Sequence, residues 1–115
     1  MRLLASLLLI LSVSLFAQEK GGKKGPPKNL KLLSPDSNIR EIMQGFEKAL
    51  GVTQCAYCHM QGDFASDSNP KKETARMMIS MVRDINSKFN DGKQHVSCFT
   101  CHRGAEMPLM QPAAQ

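Results

Sequence analysis

The apolar positions of this chain form one unbroken run and two periodic stretches, separated by polar connections. Leu3 to Phe16 is almost continuously apolar, interrupted only by serines and small Ala5. From Ile39 the pattern becomes helical: Ile39, Ile42, Met43, Phe46, Ala49 and Leu50 recur at three- and four-residue steps. Arg40, Glu41, Gln44, Glu47 and Lys48 fall on the opposite face. This spacing predicts a helix over Ile39–Leu50, capped by Ser37 or Asn38 and closed by Gly51. A polar loop, Gln61 to Asn69, leads to Pro70, which suits the first turn of a second helix over about Lys71–Phe89. Its apolar face is Met78, Met81, Val82, Ile85 and Phe89, with Ala75 and Met77 nearby. Asn90-Asp91-Gly92 then forms a turn. No segment alternates like a strand, so the expected class is all-α.

The N-terminal run ends at Ala17, follows Arg2 and precedes a polar stretch, which is the layout of a secretory signal over residues 1–17. An uncleaved anchor is the alternative, but a run of about 14 residues is short against the ~20 a spanning helix needs. Export to the bacterial periplasm is therefore expected, with a cut between Ala17 and Gln18. The first cysteine after the signal is Cys55, too distant for lipid attachment there. Residues 18–37 carry Gly21, Gly22, Gly25, Pro26, Pro27 and Pro35 and read as a flexible basic leader. Residues 38–106 form the expected domain, and 107–115 a loose C-terminal tail.

Charge changes the picture little. The formal +5 sits largely in Lys20, Lys23, Lys24, Lys28 and Lys31 of the leader. A solvated linker explains it without nucleic acid; peripheral contact with a membrane surface is the other use. Composition says more. The 98 residues after position 17 hold no Trp, and their only aromatics are Phe46, Tyr57, Phe64, Phe89 and Phe99. A domain so small and so poor in core material often needs a staple or a cofactor.

The cysteines supply the candidate. Cys55-Ala56-Tyr57-Cys58-His59 and Cys98-Phe99-Thr100-Cys101-His102 are two copies of Cys-x-x-Cys-His, the attachment signature of c-type haem. The spacing has a mechanical reason: two thiols add to the vinyl groups on one porphyrin edge, and the adjacent histidine reaches the iron from beneath. All four cysteines and two of the three histidines fall into these copies. A pair of disulfides, natural in an exported protein, explains neither histidine. Shared zinc would have to bridge the 39 residues between Cys58 and Cys98, against the usual ~15–20. A thiol oxidoreductase would need a βαβ pattern, which is absent. The reading is two covalent haems, held by Cys55 and Cys58 and by Cys98 and Cys101, with His59 and His102 as proximal ligands. Their propionates would offset most of the positive charge.

The sixth ligand decides the chemistry. A thioether closes the iron, raises the potential and suits electron transfer, whereas an open iron suits a peroxidase or a reductase of nitrogen oxides. The methionines after residue 17 are Met43, Met60, Met77, Met78, Met81, Met107 and Met110, and the one histidine outside the motifs is His95. Met43 lies on a helix that ends just before the first motif and can fold across the face opposite His59. On the second helix Met78 and Met81 share a face, and position alone does not choose between them.

The stretch Asn38 to Arg103 resembles one half of the tetrahaem cytochrome subunit of bacterial photosynthetic reaction centres. The matching pieces are Leu50-Gly51-Val52, the first motif, Phe64-Ala65-Ser66-Asp67, Ala75-Arg76-Met77-Met78, Arg83-Asp84-Ile85-Asn86, and Cys98 through Gly104. In that family each haem sits on a helix, a turn and Cys-x-x-Cys-His, and a helix methionine closes most irons. The resemblance thus implies Met43 and Met78 as axial ligands, with Met81 or His95 as alternatives for the second haem. Arg103, just after the second motif, has two readings, neutralising a propionate or lying solvated at the surface. The departures are two motifs instead of four, a histidine at a different offset, and no lipid-anchor cysteine, so docking on a reaction centre does not follow from the resemblance. The expected protein is a small all-α multihaem cytochrome c, with two helix–turn–Cys-x-x-Cys-His units and long irregular loops. It would be a one-electron carrier rather than an enzyme, working with a membrane-associated redox complex or a soluble redox protein. A haem enzyme with one open iron, and a zinc- or disulfide-stabilised binding module, are the competing classes.

Overall fold

A computed structural model describes residues 25–114. The expected signal over 1–17, the first part of the leader and Gln115 lie outside the described residues. Helix α1 spans Ile39–Leu50, as its periodicity predicts. Asn38 caps it reciprocally: its Oδ1 accepts from the Glu41 N–H at 3.3 Å, and its Nδ2 donates to the Glu41 carboxylate at 3.1 Å. Gly51 ends the helix in the left-handed region, at φ 68°, which only glycine adopts without strain.

Helix α2 spans Pro70–Ser87. It starts one residue before the expected Lys71 and ends two before the expected Phe89. Pro70 suits the first turn because its missing N–H would have had no intrahelical partner, and the Asn69 side chain caps the Lys71 N–H at 3.0 Å. At the far end Lys88 and Phe89 donate three residues back, to Ile85 and Asn86. Phe89 has left the helical stripe to stack on His95, ring centroids 3.8 Å apart and planes 19° apart.

Besides the two long helices that were expected, the cysteine motifs themselves form short helical turns. Cys55–Tyr57 forms one 3₁₀ turn, with the His59 N–H returning to the Cys55 carbonyl at 3.0 Å. Cys98–His102 is a short third helix, α3, begun where the Ser97 N–H donates to Thr100 Oγ1 at 2.9 Å. Helix α3 contacts both α1 and α2. The Gly104 N–H donates to the Ala49 carbonyl at 2.9 Å, joining the end of α1 to the turn beyond α3. Extended pairing among the described residues is limited to one isolated bridge, Met60 with Asp63.

Part of the leader is not loose. Asp67 collects Asn29 Nδ2 at 2.8 Å, Lys31 Nζ at 2.9 Å, Arg76 at 2.8 Å and Lys72 at 3.3 Å. Arg76 and Arg83 also donate to the carbonyls of Asn29 and Leu32. Composition made 18–37 a flexible linker; a carboxylate and two arginines some 36 to 51 residues away anchor Asn29–Leu32 instead.

The polypeptide by itself encloses little. Among the described residues the buried hydrophobic core is Ala49, at 3% exposure. Met77, Met81 and Ile85 on α2, Phe89 just beyond it, Phe64 after the first motif and Phe99 inside the second present apolar surface outward. No helix among the described residues is long and apolar enough to cross a membrane.

Candidate haem sites

Each motif presents two thiols and an oriented imidazole. His59 Nδ1 lies 3.0 Å from the Phe64 carbonyl, and His102 Nδ1 lies 3.0 Å from the Ala105 carbonyl. A carbonyl oxygen can only accept, so Nδ1 is the protonated nitrogen and donates. In a neutral ring so bonded, the lone pair lies on Nε2. That is the tautomer an axial ligand needs, and it is set the same way twice.

The two acceptors are placed by different local devices. After the first motif, Asp63 Oδ1 accepts the N–H groups of Ala65 and Ser66 at 3.1 and 3.2 Å. This side-chain turn brings the Phe64 carbonyl over His59, and the two rings meet edge to face at 5.2 Å. After the second motif, Arg103 and Gly104 take φ values of 53° and 82°. The reversal returns the chain so that the Ala105 N–H donates to the His102 carbonyl at 2.9 Å, while its own carbonyl receives Nδ1–H.

None of the four cysteines is in a disulfide. Burial pushes the thiols of Cys58 and Cys98 above their ordinary value. Burial disfavours the thiolate form on which a thiol oxidoreductase relies. The Cys55 thiol points to the Glu47 carboxylate at 3.7 Å, which links the first motif to α1. Among the described residues no group of three or more His, Cys, Asp or Glu side chains could hold a metal ion.

The candidate sixth ligands are placed as follows. Met43 on α1 and Met78 on α2 are half-buried, while Met77 and Met81 are 61% and 46% exposed. Helix α2, which carries Met78, touches α3 and the second motif; α1, which carries Met43, runs into the first motif and also packs on α3. An open groove of about 560 Å³ along α2 is lined by Met77, Met81, Ile85 and Phe89, with Ser80, Asp84 and Lys88. Met81 lines it and Met78 does not. His95 is engaged elsewhere: its Nε2 sits 3.0 Å from both Asp91 carboxylate oxygens.

The structure also brings in residues that sequence reasoning did not single out. Asn69 Nδ2 donates to the Tyr57 carbonyl inside the first motif at 3.1 Å. Asn86 binds the segment that runs into the second motif through both His95 and Val96. Ala75, Ile79, Val82 and Asn86 recur at three- and four-residue steps and are all half-buried. A polar residue closing an apolar stripe is the signal that marks Asn86. Lys71 Nζ lies 3.8 Å from the centroid of the Tyr57 ring and 2.6 Å from Glu106. Glu106 beside the Tyr57 hydroxyl raises its pKa above the ordinary phenol value.

Paired thiols, an adjacent histidine with its Nε2 lone pair available, methionines on the flanking helices and outward apolar faces are the donor set and surface that covalent haem requires. An all-α chain built this way has the architecture of a c-type cytochrome.

The comparisons agree. A family profile described as photosynthetic reaction centre cytochrome C subunit matches residues 24–112, and the chain belongs to that family. It is 47% identical over 79 residues to cytochrome c-554 of Chloroflexus aurantiacus, covering 64% of this chain and 19% of that protein. It is 36% identical over 85 residues to the photosynthetic reaction center cytochrome c subunit of Rubrivivax gelatinosus, covering 59% of this chain and 23% of the relative. The corresponding subunit of Thermochromatium tepidum is 44% identical over 59 residues, covering 47% and 14%. The chain thus spans less than a quarter of the length of each of these relatives.

Proposed function

We propose that this protein is an exported dihaem cytochrome that carries single electrons. Cys55 and Cys58 would hold one haem and Cys98 and Cys101 the other by thioether bonds, with His59 and His102 as proximal ligands. The observation that carries this reading is the repeated Nδ1–H bond to a backbone carbonyl, at Phe64 and at Ala105. Such a bond fixes the ring's orientation and makes Nε2 a better donor. Haem bound here supplies one-electron chemistry between the ferric and ferrous states of its iron. The chain's part is to attach, orient and close.

Met43 and Met78 are the proposed closing ligands, and a thioether at that position favours the ferrous state. Met78 rests on the family resemblance and on the contact of α2 with α3. Met81 is the competing residue, because it lines the groove on the same helix. His95 is disfavoured by its pairing with Asp91.

A closed pair of haems makes an electron carrier rather than a peroxidase or a reductase. The partner is a membrane-associated redox complex or a soluble redox protein. The names of the relatives tie them to a photosynthetic reaction center, and the export signal over 1–17 would place this chain in the periplasm. Residues 38–106 would form the dihaem domain. An optical and EPR spectrum of the purified protein tests the reading. Two low-spin haems with methionine–histidine ligation are expected; rapid stoichiometric binding of carbon monoxide to the reduced protein would instead favour the enzyme.

A further inference from the structure

We propose that Asn69 and Asn86, at the two ends of α2, are positioning residues that hold the two haem-attachment segments in fixed register with that helix. The inference deepens the dihaem reading and rests on it. At the N-terminal end, Asn69 Oδ1 accepts from the Lys71 N–H at 3.0 Å, while its Nδ2 donates to the Tyr57 carbonyl at 3.1 Å. Tyr57 lies between Cys55 and Cys58, so one amide both caps the helix and grips the first motif.

At the other end the grip is tighter. Asn86 Oδ1 accepts from the His95 and Val96 N–H groups at 2.7 and 3.0 Å, and its Nδ2 donates to the Val96 carbonyl at 2.8 Å. Val96 stands two residues before Cys98. The side-chain amide thus serves the run-in to the second motif as a neighbouring strand would.

Only an amide matches this pattern, because Asn offers both a two-lone-pair acceptor and a two-proton donor. Asp would turn a carboxylate toward the Val96 carbonyl. Both asparagines are half-buried, where an unmade bond is expensive.

The helix between them is the spacer. Seventeen residues at ~1.5 Å each separate the two grips by about 26 Å. Met78 stands on the same helix, so the second attachment segment and its proposed sixth ligand are tied into one body. Loss of the Asn86 grip lets Cys98 shift relative to Met78, and loss of the Asn69 grip acts on the first motif alone.

The test uses the purified haem-loaded protein and reads each ferric haem by EPR g-values and reduction potential, with thermal stability measured alongside. Asn86→Asp keeps the accepted bonds and loses the donation, and Asn86→Leu loses all three. Asn69→Ser keeps a helix cap but does not reach Tyr57. The Asn86 variants should shift the signals of one haem, the same one altered by Met78→Ala, and Asn69→Ser should shift the other. Lowered stability with both haem signals unchanged, or the same haem moved by both sets, would overturn the proposal. Should the variants fail to mature, hydrogen exchange in the reduced wild-type protein decides. The His95 and Val96 amides should exchange about tenfold or more slowly than in an unstructured chain; exchange at the unstructured rate would overturn the grip. A wild-type protein without haem at Cys98 and Cys101 would mark failure of the dihaem reading, and the exchange measurement would still judge the grip.

Discussion

Gly51 and Gly104 meet backbone to backbone: a Cβ on Gly51 would overlap the Gly104 carbonyl oxygen. The contact lies where the end of α1 joins the turn beyond α3, beside the hydrogen bond from the Gly104 N–H to the Ala49 carbonyl. Gly51 also holds a left-handed φ of 68°. Two penalties therefore fall on one position.

Gly51→Ala should destabilise the protein by about 3 kcal/mol, combining the left-handed penalty with that of forcing two backbones apart. Gly62 is the control, because it is also left-handed, at φ 82°, yet a Cβ there would meet no atom within 4 Å. Gly62→Ala should therefore lose only about 1 kcal/mol. Denaturant melts of the two variants check this. Equal losses would show that the Gly51–Gly104 approach contributes nothing.

The methionines can be separated by substitution. Met43→Ala should lower the potential of one haem and let it bind carbon monoxide, leaving the other unchanged. Met78→Ala should do the same to the second haem and remove its methionine–ferric charge-transfer absorption. Met81→Ala and His95→Ala should leave both irons six-coordinate, the latter because the His95 Nε2 already faces Asp91. Carbon monoxide difference spectra check all four. Opening of a haem by Met81→Ala would transfer the ligand to the groove-lining residue.

The Asp67 cluster gives the fold an acid dependence of known sign. Arg76 first, then Lys31, Asn29 and Lys72, hold the Asp67 carboxyl well below the usual carboxylate range. Folding favours the ionised form, so the stabilisation is complete above the unfolded value of ~4 and is lost as pH falls through the lower folded value. Melting temperature should therefore be steady from neutrality to about pH 5 and fall progressively below it. Asp67→Asn should be less stable at neutral pH and show a shallower acid decline. Added salt should shrink the difference, because Asp67 and Lys31 face solvent. Superimposable acid profiles for the two proteins would remove Asp67 from the account.

How far the sequence disclosed all this varies with the range of the interaction. Helix α1 was legible to the residue, because a clean apolar period is bracketed by Asn38 and Gly51. The end of α2 was not. Phe89 continues the helical stripe on paper but stacks on His95 in space. Helix α3 is too short, at five residues, to show any period. The anchored Asn29–Leu32 segment has the composition of a linker, and its partners are distant in sequence and leave no local pattern.

The Cys-x-x-Cys-His motifs were plain, yet the groups that orient their histidines are the backbone carbonyls of Phe64 and Ala105. A carbonyl is common to every residue, so no side-chain pattern announces it. Asn69 and Asn86 read as ordinary polar positions until their partners came from other segments.

The central claim is that two haems are attached covalently, one at Cys55 and Cys58 and one at Cys98 and Cys101. Intact-mass measurement of the protein, purified from a host that matures c-type haem and then fully denatured, tests it most directly. Thioether bonds survive denaturation, so the expected mass is that of the polypeptide from Gln18 plus two haems, with no free thiol. The bare polypeptide mass with four titratable or disulfide-bonded cysteines, or a single added haem, would contradict it.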